Sequence, residues 1–353
     1  MSMIDVRVAV LIVAYKGSEF LPDCLSSIAA ADSTDICVET FVLDNASPDD
    51  SGEVVRNLFP DVHVIPSEIN LGFAEGNNYL WRHVESVRSW DYIYLLNQDT
   101  IVDSSFLTEA IECMNRHPEC GAVQSLLMLH PETDRINTSG NRLHYLGFGL
   151  PTRYREMAVG VLNDEIIDYP SGAAVLLRAS FIRENGLFDG TLFMYLEDAE
   201  LGWRCHLLGY PPWLCFSSIV FHKYSFTSTM RSYQYLERNR WWLLATHYRL
   251  ATLIVLSPAI TVMEFGQIVY AIQNGLLAGK WNSLKGFFAP GFFLPMLQSR
   301  RRIQSTRKVG DREIVRRWSG EIKSPHLSGW IVRWIANPIL TLWHCVACFV
   351  VRW

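Results

Sequence analysis

The chain has 353 residues, 49% of them apolar, 12% aromatic and 19% charged, with a formal net charge of −5. That length fits one large domain or two, and the acidic balance excludes the basic footprint of a nucleic-acid binder. With 12 tryptophans the composition is greasier than an ordinary soluble enzyme's, yet it falls short of a polytopic membrane protein.

Residues 6–14, VRVAVLIVA, form a β-branched run of strand length. The run is too short for a signal peptide and alternates like a strand, so a cytoplasmic protein is expected. Phe20, Leu21, Cys24, Leu25 and Ile28 then recur at helical spacing. A second strand over 39–43 ends in DNASPDD, followed by the helical face of Val54, Val55, Leu58 and Phe59. A third strand is predicted over 62–66, a Gly-containing loop through Asn70, Gly72 and Asn78, a helix over 80–87 and a fourth strand over 92–96.

Strands alternating with helices imply right-handed βαβ units and an α/β fold with a mostly parallel sheet covered on both faces. Ligands in such sheets sit beyond the carboxyl ends of the strands. The polar clusters Tyr15-Lys16, Asp44-Asn45 and Asn97-Gln98-Asp99 all follow strands directly. Strand-rich stretches over 121–129 and 173–177 come next, then acids opening a helix within 188–209. This first unit is expected to span 1–225.

From 226 to 353 the character changes. Residues 250–279 carry a single formal charge, Glu264, whereas 300–317 carry eight basic residues against two acids. Apolar helices beside a basic stretch read as a region associating with the cytoplasmic membrane surface. Glu264, Gln267, Gln273 and Asn274 interrupt the better spanning candidate, which favours an in-plane helix. The competing reading is a helical subdomain packed on the first unit or on a second copy, so a homo-oligomer is also allowed.

The eight cysteines are scattered in a chain far longer than a disulfide-stapled domain and read as reduced thiols. Cys345 and Cys348 form a CxxC with no second pair, and buried thiols explain it better than zinc.

Several residues carry chemistry only in company. Asp44 alone reads as an Asx turn or helix cap. The loop from Asn70 to Asn78 lacks both GxGxxG and Walker spacing. Asp99 suits a hard divalent cation shared with substrate phosphates. Glu197 and Asp198 open a helix whose dipole stabilises acids, with Glu200 and Arg204 as an ordinary i,i+4 pair on its polar side. His222 follows the strand-like SSIVF, where a lone His is commonly structural.

Their order is more informative. The series VAVLIVAYKG, VLDNASPDDS, INLGFAEGNN, YLLNQDT, YPSGAAVLLRASFIRENGLFD, FMYLEDAELGWRCHLLGY and IVFHKYS resembles the inverting glycosyltransferases of family 2 with the GT-A fold. The likeness is closest to the rhamnosyltransferase-like branch that builds bacterial surface polysaccharides, and it covers 6 to about 245.

This resemblance implies that Asp44 reads the pyrimidine, aided by Ala14 and Tyr15, while Asn70, Gly72 and Asn78 line the nucleoside site. Asp99 stands at the last position of the family's DxD motif and His222 at its distal metal-binding histidine, holding Mg²⁺ or Mn²⁺. Asn97 replaces the first acid of that motif, and Asn97 and Gln98 would face substrate. Asp198 matches the catalytic base, with Glu197 in support, and Arg238 or Arg240 would hold the diphosphate. The expected donor is a UDP- or dTDP-linked sugar, rhamnose among them, and the expected acceptor a lipid-linked or glycan hydroxyl. The mismatch of Gln234 and YLERNRW to the processive QxxRW motif favours one sugar per visit. An Asp of reference pKa ~3.9 beside a cation needs no special burial to act as base. The alternatives are a nucleotidyltransferase, for which AYKGSEF is a poor phosphate loop, and a non-catalytic sugar-nucleotide-binding scaffold.

Overall fold

The computed structural model describes residues 6–159, 163–224, 229–323 and 332–353. In chain order it opens with β1 (Val6–Ala14), α1 (Leu21–Ala29), β2 (Ile36–Asn45), α2 (Ser51–Leu58), β3 (His63–Ser67), α3 (Gly72–Val87) and β4 (Tyr92–Leu96). There follow β5 (Thr100–Val102), α4 (Phe106–Arg116), β6 (Ala122–Leu129), β7 (Ile136–Thr138), β8 (Asn141–Leu143), β9 (Gly149–Pro151), β10 (Glu165–Ile166) and β11 (Ala174–Arg178). Then come α5 (Ala179–Asn185), α6 (Glu197–Leu208) and β12 (Trp213–His222). The remainder is helical: α7 (Met230–His247), α8 (Leu250–Gln273), α9 (Leu277–Phe288), α10 (Pro290–Thr306), α11 (Asp311–Arg317) and α12 (Asn337–Val350).

The main sheet runs β10-β12-β6-β11-β4-β1-β2-β3. β3, β2, β1 and β4 are parallel, as are β6 and β12, while β11 lies antiparallel between β4 and β6. This inversion places the start of β11 at the same sheet edge as the ends of β4, β6 and β12. Alternation along β1 sorts its side chains between two cores. Val8, Val10 and Ile12 pack with Leu21, Leu25 and Phe106 on one face, and Ala9 and Leu11 with Leu80, Val84 and Leu201 on the other. Both faces are therefore dry, which is why the strand reads as a continuous apolar run.

Three expectations need correction. The helix predicted over 80–87 starts at Gly72, so most of the predicted loop is its first two turns. Glycines and asparagines give little helical signal, but a Cβ on Gly76 would lie 3.0 and 3.2 Å from Val13 and Leu43, so a larger residue would crowd the sheet. The polar side of α6 is also not a solvated face, because Glu200 and Arg204 are both buried in a bidentate pair. Arg204 additionally donates to the carbonyls of Asn185, Gly186 and Leu187, and His247 of α7 approaches Glu200 at 3.6 Å. Third, β3 sits one residue later than predicted.

The boundary drawn at 225/226 lies outside the described residues. On either side of it the chain shares one core: Leu143, Tyr145, Trp203 and Leu207 pack with Tyr248, Leu256, Ile303, Trp318 and Leu340. Trp203 meets Tyr248 and Trp318 edge-on at 4.8 and 5.5 Å. The helices after α7 thus form the wall that buries the outer face of α6 and fixes its direction.

Candidate active site

The loops after β1 and β2 are knitted together before any ligand enters. Tyr15 N donates to Gln98 Oε1 and Gln98 Nε2 donates back to Tyr15 O, both at 3.0 Å, so the Gln98 amide fixes the backbone at the end of β1. Ala14 is fully buried beneath it, paired in register with Asp44 on β2. Asp44 Oδ1 accepts from Ser47 N at 3.0 Å, closing an Asx-type turn, while the half-buried carboxylate remains beside the two loops. Lys16 N and Gly17 N donate to the hydroxyls of Ser47 and Ser51. Those serines and Ser18 converge on Asp49, whose carboxyl they hold well below its usual range against the opposing effect of burial.

The amino end of α3 closes the next side. Gly72 has φ +75°, and a Cβ there would lie 2.4 Å from Phe193 O, so only glycine fits. Phe73 N and Ala74 N both donate to Phe193 O, at 2.8 and 3.1 Å. The helix terminus expected to meet a ligand is thus partly occupied by the turn before α6. Asn70 Oδ1 accepts from Gly72 N, and Asn45 bridges Asn70, Leu71 and Gly72. Asn78 is used internally: it exchanges hydrogen bonds with Phe188 N and O.

Asp99 and His222 are brought together from opposite ends of the first unit. β5 pairs with β12 so that His222 faces Thr100, and Lys223 N donates to Asp99 O at 2.9 Å. His222 Nε2 then lies 3.3 Å from Asp99 Oδ1, with the His only 7% exposed. Its Nδ1 contacts Asn137 Oδ1 at 3.0 Å. An Nδ1–H donating to that oxygen leaves the Nε2 lone pair turned toward Asp99. Two donors bound at about 2.1 Å and right angles around one octahedral ion stand about 3 Å apart, so this pair fits a hard divalent cation.

Asp198 arrives through β11. Asn97 N donates to Ala173 O at 2.9 Å, and Gly172 N points at Asp198 Oδ2 at 3.4 Å. Asp198 Oδ1 also accepts from Ala199 N. A Cβ on Gly172 would meet the Phe73 ring at 3.0 Å, so a larger residue there would push on the wall facing Asp198. Burial raises the carboxyl of Asp198, to about 6. It raises Glu197 further, with help from the neighbouring Asp198 charge. Glu197 Oε2 is buried with no hydrogen-bond partner among the described residues. The expectation of an ordinary carboxyl at Asp198 is therefore replaced by one tuned upward by burial, against the opposing hydrogen bonds from Ala199 N and Gly172 N.

That turn is strained. Phe193, Tyr195 and Leu196 all have positive φ, at 66°, 68° and 65°, a region non-glycine residues seldom enter. Asn239 of α7, fully buried, donates to the carbonyls of Leu192, Met194 and Tyr195 at 3.0, 3.0 and 2.7 Å. Arg238 donates to Leu192 O and lies over the rings of Phe292 and Tyr235. Arg240 is 1% exposed, tied to Glu237 and Glu264 in a cluster that includes Lys280. In this arrangement Arg238 and Arg240 support the turn and the helical wall. The sequence reading missed Asn239 and Asn137, since a lone Asn carries no spacing signal.

Residues 9–183 match the family model described as Glycosyl transferase family 2. The N-acetylglucosaminyl-diphospho-decaprenol L-rhamnosyltransferase of Mycobacterium tuberculosis is 26% identical over 224 residues, covering 58% of this chain and 71% of that protein. The poly-beta-1,6-N-acetyl-D-glucosamine synthase of Staphylococcus epidermidis is 24% identical over 207 residues, covering 58% of this chain but only 46% of the synthase. Among solved structures, GalNAc-T7 with UDP, GalNAc and Mn²⁺ superposes with a TM-score of 0.58 at 12% identity, over 87% of this chain and 59% of that one, a likeness of fold. With the sheet order and the strand-end cluster, these matches establish residues 9–183 as a glycosyl transferase family 2 domain.

Proposed function

We propose that this chain moves a sugar from a UDP- or dTDP-linked donor to a hydroxyl of a lipid-linked or glycan acceptor, with inversion at the anomeric carbon. The observation that carries the reading is the convergence of Asp99, His222 and Asp198 on one sheet edge, joined through Gly172, Ala173 and Asn97. The rhamnosyl transfer to a diphospho-lipid in the name of the M. tuberculosis relative supports rhamnose and a lipid-linked acceptor as the first pair to try.

Asp99 and His222 would hold Mg²⁺ or Mn²⁺, which when bound neutralises charge on the departing nucleoside diphosphate. Asp44 and the backbone at Ala14 and Tyr15 orient the base and ribose. Asp198 takes the proton from the acceptor hydroxyl, and that oxygen displaces the diphosphate from the opposite face. A base tuned toward neutrality by burial suits this step better than an ordinary aspartate, since it holds the proton more strongly while staying largely ionised at pH 7. The strained turn and its Asn239 clamp keep the carboxylate aimed.

The helical region would hold the enzyme on the inner face of the cell membrane. α8 is long and apolar enough to cross a bilayer, but Glu264 at its middle is bound by Arg240 and Lys280, which ties the helix lengthwise to α7 and α9. Ile254, Phe265, Trp281, Phe288, Leu342 and Phe349 are all exposed. With Lys285, Arg301 and Arg302 also exposed nearby in sequence, this composition supports in-plane binding to an anionic surface.

The test is a thermal-shift screen of nucleotide sugars with Mn²⁺, followed by transfer assays with Asp198→Asn. The variant should keep donor binding and lose transfer by about 10²–10⁴-fold; retention of most activity would remove Asp198 from the role of base.

A further inference from the structure

Far from the sugar-transfer site, the same strand that ends in His222 begins beside a second cluster of ligand-type side chains. Cys113 sits in the last turn of α4 and His117 caps that helix, its N donating to Cys113 O at 3.1 Å. Asp164 lies just before β10, and Cys215 lies near the start of β12. Ligand atoms of Cys113, His117 and Asp164 all lie within 4.8 Å of one another, a group of three found nowhere else among the described residues. The fully buried thiol of Cys215 lies outside that group of three, donating to Glu109 O at 3.5 Å, and would have to turn from that carbonyl to complete the set as a fourth ligand. We infer that Cys113, Cys215, His117 and Asp164 form a binding site for one soft divalent cation of the Zn²⁺ class.

The donor set argues for that class. Two thiolates, an imidazole and a carboxylate suit tetrahedral zinc, whose ligand atoms stand about 3.3–3.8 Å apart, so Cys113, His117 and Asp164 need only a small closure and the Cys215 thiol a turn toward them. Mg²⁺ and Mn²⁺ prefer oxygen donors and would favour Asp99 instead. The surroundings are arranged as ligand supports. Arg116 holds Asp164 Oδ2 at 2.6 Å and Phe216 N reaches Oδ1 at 3.3 Å, fixing the carboxylate while leaving each oxygen a free lone pair. The His117 ring is stacked on Trp213 at 3.5 Å between centroids and 14° between planes. Both thiols are fully buried, whereas His117 and Asp164 are partly exposed, which gives the ion a way in from one side.

Two thiolates and one carboxylate sum to −3, against which the ion contributes +2 and Arg116 +1, with Glu112 and Glu119 as further acids within 4 Å of Arg116 and His117. Both thiol protons depart to solvent when the ion enters. Bound there, the ion would clip α4 to β12 and to the segment entering β10. This edge is opposite the catalytic one, roughly 20 Å away along β12 from His222, so the role is to brace the sheet and not to take part in transfer.

Cobalt substitution decides the matter. The full chain, stripped with a chelator under reducing conditions, is titrated with Co²⁺. Expected are a sulfur-to-cobalt charge-transfer band in the near ultraviolet and intense visible bands of tetrahedral cobalt, saturating at one equivalent and lost on adding Zn²⁺. Asp99 and His222 supply no sulfur, so cobalt at the catalytic site cannot give that band. Cys113→Ser and Cys215→Ser should each abolish it, and His117→Gln, at a partly exposed position, should weaken it where a cysteine variant folds poorly. Absence of the band in the parent chain, its persistence in both cysteine variants, or a Cys113–Cys215 disulfide in non-reducing mass analysis of the protein as isolated would overturn the proposal.

Discussion

Asn137 Oδ1 lies 3.0 Å from His222 Nδ1, and that contact fixes which ring nitrogen faces Asp99. A partner of this kind orients a ligand without touching the ion. Asn137→Ala is therefore expected to weaken Mn²⁺ binding about 10–100-fold, with donor affinity in the absence of metal unchanged. Manganese titration followed by electron paramagnetic resonance measures it, and parent-like affinity would show that Asn137 plays no part in presenting His222.

Glu197 and Asp198 predict opposite behaviour for stability and activity as pH changes. Burial raises Glu197 to about 8 from an ordinary value of 4.5. A group that holds its proton more tightly when folded contributes stability in full below its unfolded value, and that contribution is lost as pH rises toward about 8. Glu197→Gln mimics the protonated form, so it should exceed the parent in Tm at pH 8 to 9, with the gap closing toward pH 5. Transfer should instead fall as pH drops through about 6, where Asp198 gains its proton. A Tm difference between Glu197→Gln and parent that does not grow with pH would contradict the assignment of a buried, protonated Glu197.

Asn239 predicts a rate effect at a distance from the reacting atoms. Its three hydrogen bonds hold carbonyls of the turn just ahead of Asp198, in which Phe193, Tyr195 and Leu196 have positive φ. Asn239→Ala should lower kcat about 10²-fold through misplacement of the base, with little change in donor Kd, and cost about 1–3 kcal/mol of stability through unpaired buried groups. Equal losses in donor affinity and kcat would point to general loosening instead.

Membrane attachment is best probed by charge and not by truncation. Removing everything after 249 would strip Trp203 and Tyr248 of Leu256, Ile303, Trp318 and Leu340 and open the shared core. Phe265→Glu combined with Phe349→Glu leaves that core alone, because both side chains are exposed. The double variant should lose sedimentation with anionic vesicles while keeping the parent Tm; undiminished binding would place the contact elsewhere.

Much of this was legible in the residues themselves. The β-branched run at β1 and the apolar run at β4 declared the sheet, since strands buried on both faces cannot alternate polar with apolar. Asp44 and Asp99 were legible because they stand directly after such runs. The helical start at Gly72 was not, because Gly72, Gly76, Asn77 and Asn78 are poor helix formers and are retained for contacts with Val13, Leu43, Phe73, Phe188 and Phe193. Glu200 and Arg204 looked solvated for a similar reason: an i,i+4 ion pair has the same sequence spacing whether water or α7 covers it.

The sequence by itself determined the long strands β1 to β4, β6, β11 and the end of β12, that strand ends carry polar groups, and that apolar helices follow. Local spacing and periodicity encode those features. Only the tertiary structure decided that β11 runs backward to deliver Gly172 and Asp198 to the edge holding Asp99 and His222. It also decided that α7 would clamp the turn before α6 through Asn239, and that Asp198 would sit where burial raises its carboxyl. Pairing direction, water exclusion and carbonyl capture depend on residues far apart in the chain, and no window of sequence contains them.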